Sequence, residues 1–358
     1  MKVALITGAG GLVGSEACER YVAAGYFVVA LDNDFRKAFF GTGASVAWRL
    51  NQLKERLGES IDILSIDIRD TVKVDTIFAE YGNAVETIIH CAAQPSHDWA
   101  AKDPHLDFDV NAKGTLNLLE AFRHHSPLAS FIFMSTNKVY GDTPNLLPLV
   151  ELDSRWEIAA DHKFFEKGIN ESMTIDQSTH SLFGVSKTSA DLMVQEYGKY
   201  FGLNTVTLRG GCLTGPAHSG AKLHGFLAYL TKCLLTNREY TVFGYGGKQV
   251  RDNIHSFDLI SMMLEISTEP RSGSVYNVGG GRFSNCSIIE AINKLYEITG
   301  KRLSYKIAEE NRTGDHIWWI SDMTKFQSDY PNWTQKYDFS ALLADVCVGL
   351  DRRLTGLE

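Results

Sequence analysis

The sequence predicts an α/β fold: a doubly wound, Rossmann-type parallel sheet with a smaller, interleaved C-terminal substrate-binding portion. Three observations predict it. Short apolar runs alternate with helix-like stretches through the first 210 residues, a glycine-rich turn joins the first run to the first helix, and an acidic residue closes the second run. Alternating strands and helices form right-handed crossovers, which gather ligands beyond the carboxyl ends of the strands.

The individual elements follow from the spacing of apolar residues. Short apolar runs bounded by turn residues predict strands, and apolar residues three or four positions apart predict helices. Two connections are long enough to be candidate lids or binding loops, near 35–60 and 144–178. The predicted strands are 3–7, 27–32, 61–66, 87–91, 130–135 and 203–209, and the predicted helices are 13–24, 72–81, 107–125 and 184–201.

Composition narrows the class of protein. The chain has 358 residues and a net charge of -8, and this acidic balance argues against a nucleic-acid partner. No apolar run reaches the roughly 18 residues that a membrane-spanning helix needs, and the N-terminus lacks the pattern of a signal peptide. Six scattered cysteines without C-x-x-C pairs favour reduced thiols in the cytoplasm and predict no metal site.

The turn T-G-A-G-G-L-V-G at 7–14 predicts a dinucleotide site. Gly8, Gly11 and Gly14 stand between a strand and a helix, where glycine permits a tight turn and lets backbone N–H groups approach a pyrophosphate. Asp32 closes the second strand at the spacing expected for a ribose-binding acid, and a carboxylate there favours NAD over NADP. Arg36 and Lys37 lie nearby and weaken that preference.

Several motifs together resemble the extended short-chain dehydrogenase/reductase family, the NAD-dependent sugar epimerases and dehydratases. Besides the glycine turn, they are H-C-A-A-Q at 90–94, N-A-K-G-T-L-N-L-L-E-A at 111–121, M-S-T-N-K-V-Y-G-D at 134–142, G-K-Q-V-R-D at 247–252 and R-T-G-D at 312–315. The resemblance covers nearly the whole chain and within the family is greatest to the CDP-sugar 2-epimerases. It implies bound NAD, a nucleotide-diphosphate sugar as substrate and a homodimer that uses the helix at 111–121.

The alternating pattern of the first part, and the short elements and Gly-rich turns of the last part, predict a dinucleotide-binding domain at 1–210 and a mainly nucleotide-sugar-binding portion at 211–358 that is interleaved with it. The glycine turn and the family resemblance together assign residues to the cofactor. The predicted cofactor contacts are Gly8, Gly11, Leu12, Val13, Gly14, Asp32, Asn33, Asp67, Ile68, Ala92, Ala93, Gln94, Asn111 and Lys187.

The end of the strand at 130–135 bears on the type of reaction. Thr136 matches the family hydroxyl that hydrogen-bonds the reacting sugar oxygen. Dehydratases of the family carry an Asp-Glu pair next, whereas this chain has Asn137 and Lys138, which do not supply the carboxylates that elimination of water requires. Asn137 and Lys138 are predicted instead to orient substrate groups. The favoured reaction is epimerisation through a transient ketone; the alternatives are a reductase or dehydrogenase and a catalytically silent binding protein.

One position departs from the family pattern. Phe183 stands where the Tyr-x-x-x-Lys motif has its tyrosine, one helical turn before Lys187, and phenylalanine cannot take a proton. Three explanations stay open: an engineered replacement that traps substrate, a natural member with another base, or binding without turnover. The candidate bases are His180, Cys212 and Tyr140, with Thr136 as relay, and His180 is preferred because imidazole has a pKa of about 6.5.

The last third is predicted to hold the nucleotide diphosphate. A planar guanidinium can meet two phosphate oxygens, so arginines of the two later motifs are the expected clamps. An alternative is that Arg251 only pairs with Asp252 or Asp258. The predicted substrate contacts are Asn137, Lys138, Cys212, Lys248, Arg251, Arg312 and Asp315.

Overall fold

The computed structural model describes residues 1–218, 220, 225–308 and 314–356. Its chain forms two compact units. The first unit comprises Met1–Val139, Ser181–Arg209 and Leu259–Tyr276, and the second comprises Tyr140–His180, Gly210–Asp258 and Asn277–Glu358. The chain thus passes repeatedly from one unit to the other, and the segment 140–180, which interrupts the nucleotide-binding half of the sequence, belongs to the second unit.

The strands and helices lie close to where the apolar spacing predicts them. The strands are β1 Val3–Thr7, β2 Phe27–Leu31, β3 Ile61–Leu64, β4 Val85–His90, β5 Ser130–Thr136, β6 Leu149–Glu151, β7 Trp156–Ile158, β8 Asn204–Gly210, β9 Cys212–Thr214, β10 Tyr240–Phe243, β11 Val250–His255, β12 Ser274–Val278, β13 Asn285–Ser287, β14 Tyr305–Ala308 and β15 Trp318–Trp319. The helices are α1 Leu12–Ala23, α2 Arg36–Phe40, α3 Ala47–Leu57, α4 Thr71–Tyr81, α5 His97–Lys102, α6 Pro104–Phe108, α7 Gly114–His125, α8 Ser181–Phe201, α9 Phe226–Leu235, α10 Ser256–Thr268, α11 Ile288–Thr299, α12 Thr324–Asp329 and α13 Phe339–Thr355.

A seven-stranded sheet forms the centre of the first unit, in the order β12-β8-β5-β4-β1-β2-β3. The pairings of β1 with β2 and β4, of β2 with β3 and of β4 with β5 are parallel. Strand order reverses between β1 and β4, and ligands of such sheets bind beyond the carboxyl ends at that point. The predicted doubly wound fold is confirmed.

The core of the first unit packs between the sheet and its helices. Leu5 of β1, Phe131 of β5, Phe78 of α4 and Phe122 of α7 are fully buried. One predicted helix differs in its form: the stretch 107–125 is divided into the end of α6, a π-helical turn at Asp109–Lys113 and α7. Such turns recur at functional sites, and this one carries Asn111.

The second unit contains small sheets and a helical core. Strand β11 pairs antiparallel with β13 and parallel with β9 and β15, while β10 pairs with β14 and β6 with β7. Helices α9, α11 and α13 enclose a cluster that includes the buried Leu230, Leu295 and Leu343. The long connection 144–178 contains the β6–β7 hairpin, and 35–60 contains α2 and α3.

Candidate active site

The turn between β1 and α1 has the close backbone packing that a dinucleotide cradle needs. Gly8 has a φ of +69°, and a Cβ there would lie 2.8 Å from the Ala92 nitrogen in the loop after β4. A Cβ on Gly14 would lie 2.2 Å from the Gly8 oxygen. Gly11 is the N-cap of α1 and offers no side chain, so the first amides of the helix, from Leu12 and Val13 onward, are available to an anion.

Asp32 is fixed at the end of β2 by two backbone donors. Its Oδ2 accepts from the Gly10 N–H at 2.8 Å and its Oδ1 from the Asp34 N–H at 2.7 Å, while burial raises the pKa of this carboxyl. The carboxylate therefore stands directly beside the glycine turn. Lys37 pairs with Asp34 at 3.2 Å, so its charge is engaged next to the position where an NADP phosphate would bind. These features fit NAD.

Three other predicted contacts have partners within the protein. Asp67 forms a forked ion pair with Arg69, with Oδ2 2.7 Å from Nη2, and this pairing lowers the pKa of Asp67. Ile68 is buried against α7, because a Cβ on Gly114 would lie 2.7 Å from its Cδ1. Asn33 accepts from the Phe35 N–H at 3.1 Å. Contact of Asp67 and Ile68 with the cofactor stays a prediction.

A buried polar network joins the loop after β4 to α8. Asn111 donates to the Gln94 carbonyl, to Asp107 and to the Ser186 hydroxyl at 3.0–3.1 Å, and its own oxygen accepts from the Gln94 N–H at 2.9 Å. Gln94 Nε2 also donates to Asp107 at 2.6 Å. The side chains of Gln94 and Asn111 therefore brace the loop that carries Ala92 and Ala93. Asp107, which pattern reasoning missed, is the shared acceptor.

Strand β5 delivers Thr136 at its last residue. The Thr136 hydroxyl accepts from the Lys138 N–H at 3.2 Å, and the 3-10 turn Asn137–Tyr140 begins at once, with Asn137 buried. Beneath this end of the strand, Ser135 donates to Asp191 of α8 at 2.6 Å. Asp191 in turn accepts two bonds from Arg209 of β8 at 2.8 and 3.0 Å, so a buried ion pair, also missed from the sequence, joins α8 to β8.

Lys187 lies in the first turns of α8 with a buried ammonium. Its Nζ donates to the Met134 carbonyl of β5 at 2.9 Å and stands 4.1 Å from the centre of the Phe133 ring. Burial lowers the pKa of Lys187 to about 8. The predicted catalytic lysine and Thr136 are thus brought to the same two elements, β5 and α8.

Phe183 is buried and contacts a histidine that sequence reasoning did not single out. The ring centres of Phe183 and His97 are 4.9 Å apart in an edge-to-face arrangement. His97 Nδ1 lies 2.8 Å from the Ser181 hydroxyl at the start of α8. The only sequence signal was a histidine three residues after the H-C-A-A-Q motif at 90–94, and a lone histidine in such a segment is usually structural.

The bases predicted in place of a tyrosine belong to the second unit. Helix α8 begins at Ser181, which has a φ of +58°, so His180 precedes the helix and does not share the face of Phe183. Its Nδ1 donates to the Ser178 carbonyl at 2.9 Å. The Tyr140 hydroxyl is buried and donates to Asn277 at 2.8 Å, so it serves a structural bond. Cys212 lies in β9 opposite Asn253.

The second unit holds the predicted phosphate-binding residues. Arg251 is buried on β11 and pairs with Asp315 at 2.9 Å, which corrects the alternative of a pair with Asp252 or Asp258. Asp252 instead accepts from the Gly281 and Ser321 N–H groups, and Asp258 from those of residues 336 and 337. Lys248 pairs with Glu151 at 2.9 Å. Arg312 lies outside the described residues.

Comparison with known proteins decides the family. A sequence profile for the NAD dependent epimerase/dehydratase family matches residues 4–279. The chain belongs to this family. The family resemblance and the predicted NAD cofactor are thereby confirmed. CDP-paratose 2-epimerase from Salmonella typhi is 30% identical over 81% of this chain and 82% of its own length. UDP-glucose 4-epimerase from Homo sapiens is 28% identical over 87% of this chain and 86% of its own length.

A solved structure shares the fold over its full length. UDP-glucose 4-epimerase from Bifidobacterium longum, in complex with NAD+ and UDP, matches with a TM-score of 0.79 and 22% identity, covering 99% of this chain and 100% of that one. Within the described part of the present chain, no helix has the length and hydropathy to cross a membrane. Over the same residues, no cluster of histidine, cysteine and acidic side chains could hold a metal ion.

Proposed function

We propose that this protein is an NAD-dependent nucleotide-sugar epimerase that inverts C2 of a CDP-linked sugar through a transient ketone. The relative from Salmonella typhi, 30% identical over most of both chains, supports the nucleotide and the carbon. The Asp32 carboxylate held beside the glycine turn supports NAD as the partner of the reaction.

The observation that carries the reaction type is the end of β5. Thr136 is followed by Asn137 and Lys138. The side chains beside the Thr136 hydroxyl are therefore an amide and an ammonium, where a dehydratase has two carboxylates. An amide and an ammonium can orient hydroxyls and stabilise negative charge on a ketone oxygen, but they do not remove a proton from carbon at neutral pH. Hydride removal and return is the chemistry that remains.

The roles of the chain's own residues follow from their positions. The chemistry that the bound cofactor supplies is reversible acceptance of hydride from a carbinol carbon. Thr136 hydrogen-bonds the reacting oxygen, and Lys187 holds the nicotinamide ribose with a charge that burial makes easy to remove. The network of Asn111 and Ser186 keeps α8 against the cofactor loop. A rigid frame of this kind fixes the distance between donor carbon and cofactor.

In the second unit, Arg251 is proposed to bind the diphosphate. Its guanidinium is held on β11, and Nη1 donates to the Val250 carbonyl at 2.8 Å, which fixes its plane. Asp315 then acts as the anionic partner that a diphosphate replaces, and accepts from a ribose hydroxyl in the bound state. Arg312 and Lys248 are proposed to add charge at the same nucleotide, and Cys212 to contact the substrate.

The test is a survey of nucleotide sugars with stereochemistry as the readout. The protein is incubated with CDP-, UDP- and GDP-sugars, and each ring proton is followed by NMR. Inversion at C2 of a CDP-sugar without net change in nicotinamide absorbance is expected. A net change in absorbance identifies a reductase or dehydrogenase, and stoichiometric binding without turnover identifies a binding protein; either result would reject the epimerase.

We also propose a homodimer that forms through α7 and α8. Leu182, Val185 and Leu192 of α8 are each 44–47% exposed and, at offsets of three and seven residues, lie on one helix face. Leu116 of α7 and Phe108 of α6 are exposed apolar residues as well. A second copy of this surface would cover them, and the resemblance of 111–121 to a dimer-forming helix supports that occupant.

Light scattering tests the dimer. Val185→Glu is expected to halve the mass in solution while circular dichroism stays unchanged. Leu128→Glu is the matched control, because Leu128 is exposed but lies outside these helices, and it is expected to remain dimeric. Equal masses for both variants would reject this interface.

The cytoplasm is the proposed location, supported by the lack of any disulfide among the six cysteines, all of which lie in described residues.

A further inference from the structure

The proposed function leaves one role unfilled. Oxidation of a carbinol requires an acceptor for its hydroxyl proton, and the Phe183 ring, buried in the first turn of α8, has none. The acceptor must therefore come from a residue close to Phe183 that the Tyr-x-x-x-Lys pattern does not include. Within the first unit, His97 is in ring contact with Phe183.

The imidazole of His97 is held in place from two sides. Its Nδ1 lies 2.8 Å from the Ser181 hydroxyl, whose oxygen also accepts from the Gly184 N–H at 3.3 Å, so His97 is tied to the first turn of the helix that carries Phe183 and Lys187. On the other side, His97 begins α5, whose N-cap Ser96 accepts from the Trp99 N–H at 3.3 Å.

The loop before α5 connects His97 to the cofactor-side network. The Ser96 carbonyl accepts from Gln94 Nε2 at 2.8 Å, and the Ser96 N–H donates to Gln94 Oε1. Gln94 is braced by Asp107 and Asn111, which also reaches Ser186 of α8. The imidazole thus sits on a rigid bridge between the loop after β4 and the start of α8, the two elements that the family uses around the nicotinamide.

We propose that His97 is the proton acceptor that replaces the tyrosine, an inference that rests on the proposed epimerase function. With Nδ1–H donated to Ser181, the lone pair of Nε2 takes the proton of the sugar hydroxyl. The O–H electron pair becomes the second bond of the C=O group, and the electron pair of the C–H bond leaves as hydride to the oxidised nicotinamide. After the ketone has presented its other face, hydride returns to carbon and His97 returns the proton to oxygen.

The arrangement also explains why phenylalanine suits position 183. A tyrosine at 183 would place a phenol O–H beside the imidazole of His97, and the two groups would compete for the substrate's proton. The Phe183 ring instead packs edge to face against the imidazole, at 62°, and takes no part in proton transfer. Phe183 is in this view a packing residue for the base, and the Thr136 hydroxyl remains the hydrogen-bond partner of the sugar oxygen.

Four proteins test the proposal: wild type, His97→Gln, Phe183→Tyr, and the double variant. His97→Gln is expected to lower kcat by about 10²–10⁴-fold, the usual contribution of a general base, while the Kd of the CDP-sugar in calorimetry stays within threefold. The double variant is expected to recover at least tenfold over His97→Gln, because a tyrosine at 183 restores an acceptor. His105→Gln is the matched control, because His105 is exposed on α6.

Two results would overturn the proposal. A kcat within threefold of wild type in His97→Gln, or no recovery in the double variant together with weakened substrate binding, would overturn the proposal in favour of a structural role. Failure of the wild type on every sugar rejects the epimerase function instead, and leaves the position of His97 testable by a separate measurement.

That measurement is NMR of protein labelled with ¹³C-histidine, which needs no turnover. The His97 signal is assigned as the one that disappears in His97→Gln. If urea unfolding shows that this variant is not folded, His97→Phe takes its place. The signal is expected to move on addition of CDP-glucose and to stay in place with CMP, which lacks the sugar. A signal that ignores CDP-glucose would overturn the proposal.

Discussion

Replacing Gly14 by alanine should disrupt the cofactor turn more than any other single methyl group in that loop. The added Cβ would lie 2.2 Å from the Gly8 oxygen, 2.7 Å from its carbonyl carbon and 2.8 Å from the Ala9 Cα, all of them backbone atoms. Ordinary contact begins at 3.4 Å, so the backbone must move by about 1 Å (3.4 − 2.2). Overpacking of this kind costs about 3 kcal/mol, and alanine returns about 1 kcal/mol of helix propensity.

The net loss in the free energy of unfolding is therefore about 2 kcal/mol, a factor of about 30 in the folding equilibrium. Urea unfolding followed by circular dichroism measures it, and calorimetric titration with NAD is expected to show at least tenfold weaker binding because the amides of α1 shift with the turn. Gly43→Ala is the control, since a Cβ there meets no atom within 4 Å. Equal stability and NAD affinity for Gly14→Ala and Gly43→Ala would refute the reasoning.

Three further predictions concern charged residues. Burial raises the pKa of Asp252 to about 6, so the folded state binds this proton more tightly than the unfolded state. The free energy of unfolding should therefore fall by up to about 3 kcal/mol as pH rises from 4 to 6. Urea titrations measure this dependence, and Asp252→Asn should make it weaker. Asp32→Ser should weaken NAD binding at least tenfold and narrow the preference over NADP in calorimetry, because the carboxylate beside the turn is lost. Asp191→Asn should lower the free energy of unfolding by about 3–5 kcal/mol, since it leaves the buried Arg209 without its charge partner, whereas the exposed Asp98→Asn should change it little.

Features that depend on local sequence could be predicted from the sequence. The glycine turn, Asp32 after β2, Thr136 at the end of β5 and Lys187 in α8 are each defined by a short motif whose geometry follows from its own strand, turn and helix. The parallel sheet followed from the alternation of strands and helices, because strands joined by helical crossovers run in the same direction.

Features that depend on contacts between distant segments could not. The contact of His97 with Phe183, and the pairing of Arg251 with Asp315, join residues from separate elements, and no spacing rule relates them. The π-helical turn at Asp109–Lys113 was also missed, since one inserted residue does not interrupt a run of helix-forming residues. His180 was preferred as the base for the pKa of an imidazole and its position three residues before Phe183, and the left-handed Ser181 between them takes it off the face of the helix.

The most direct test of the whole account follows the hydrogen on the inverted carbon. A CDP-sugar carrying deuterium at C2 is incubated with the protein in ordinary water, and the recovered sugars are analysed by NMR and mass spectrometry. If the carbon is oxidised and then reduced on its opposite face by the same cofactor, the inverted sugar keeps its deuterium. Loss of the label to solvent, or recovery of the starting stereochemistry alone, would contradict the account.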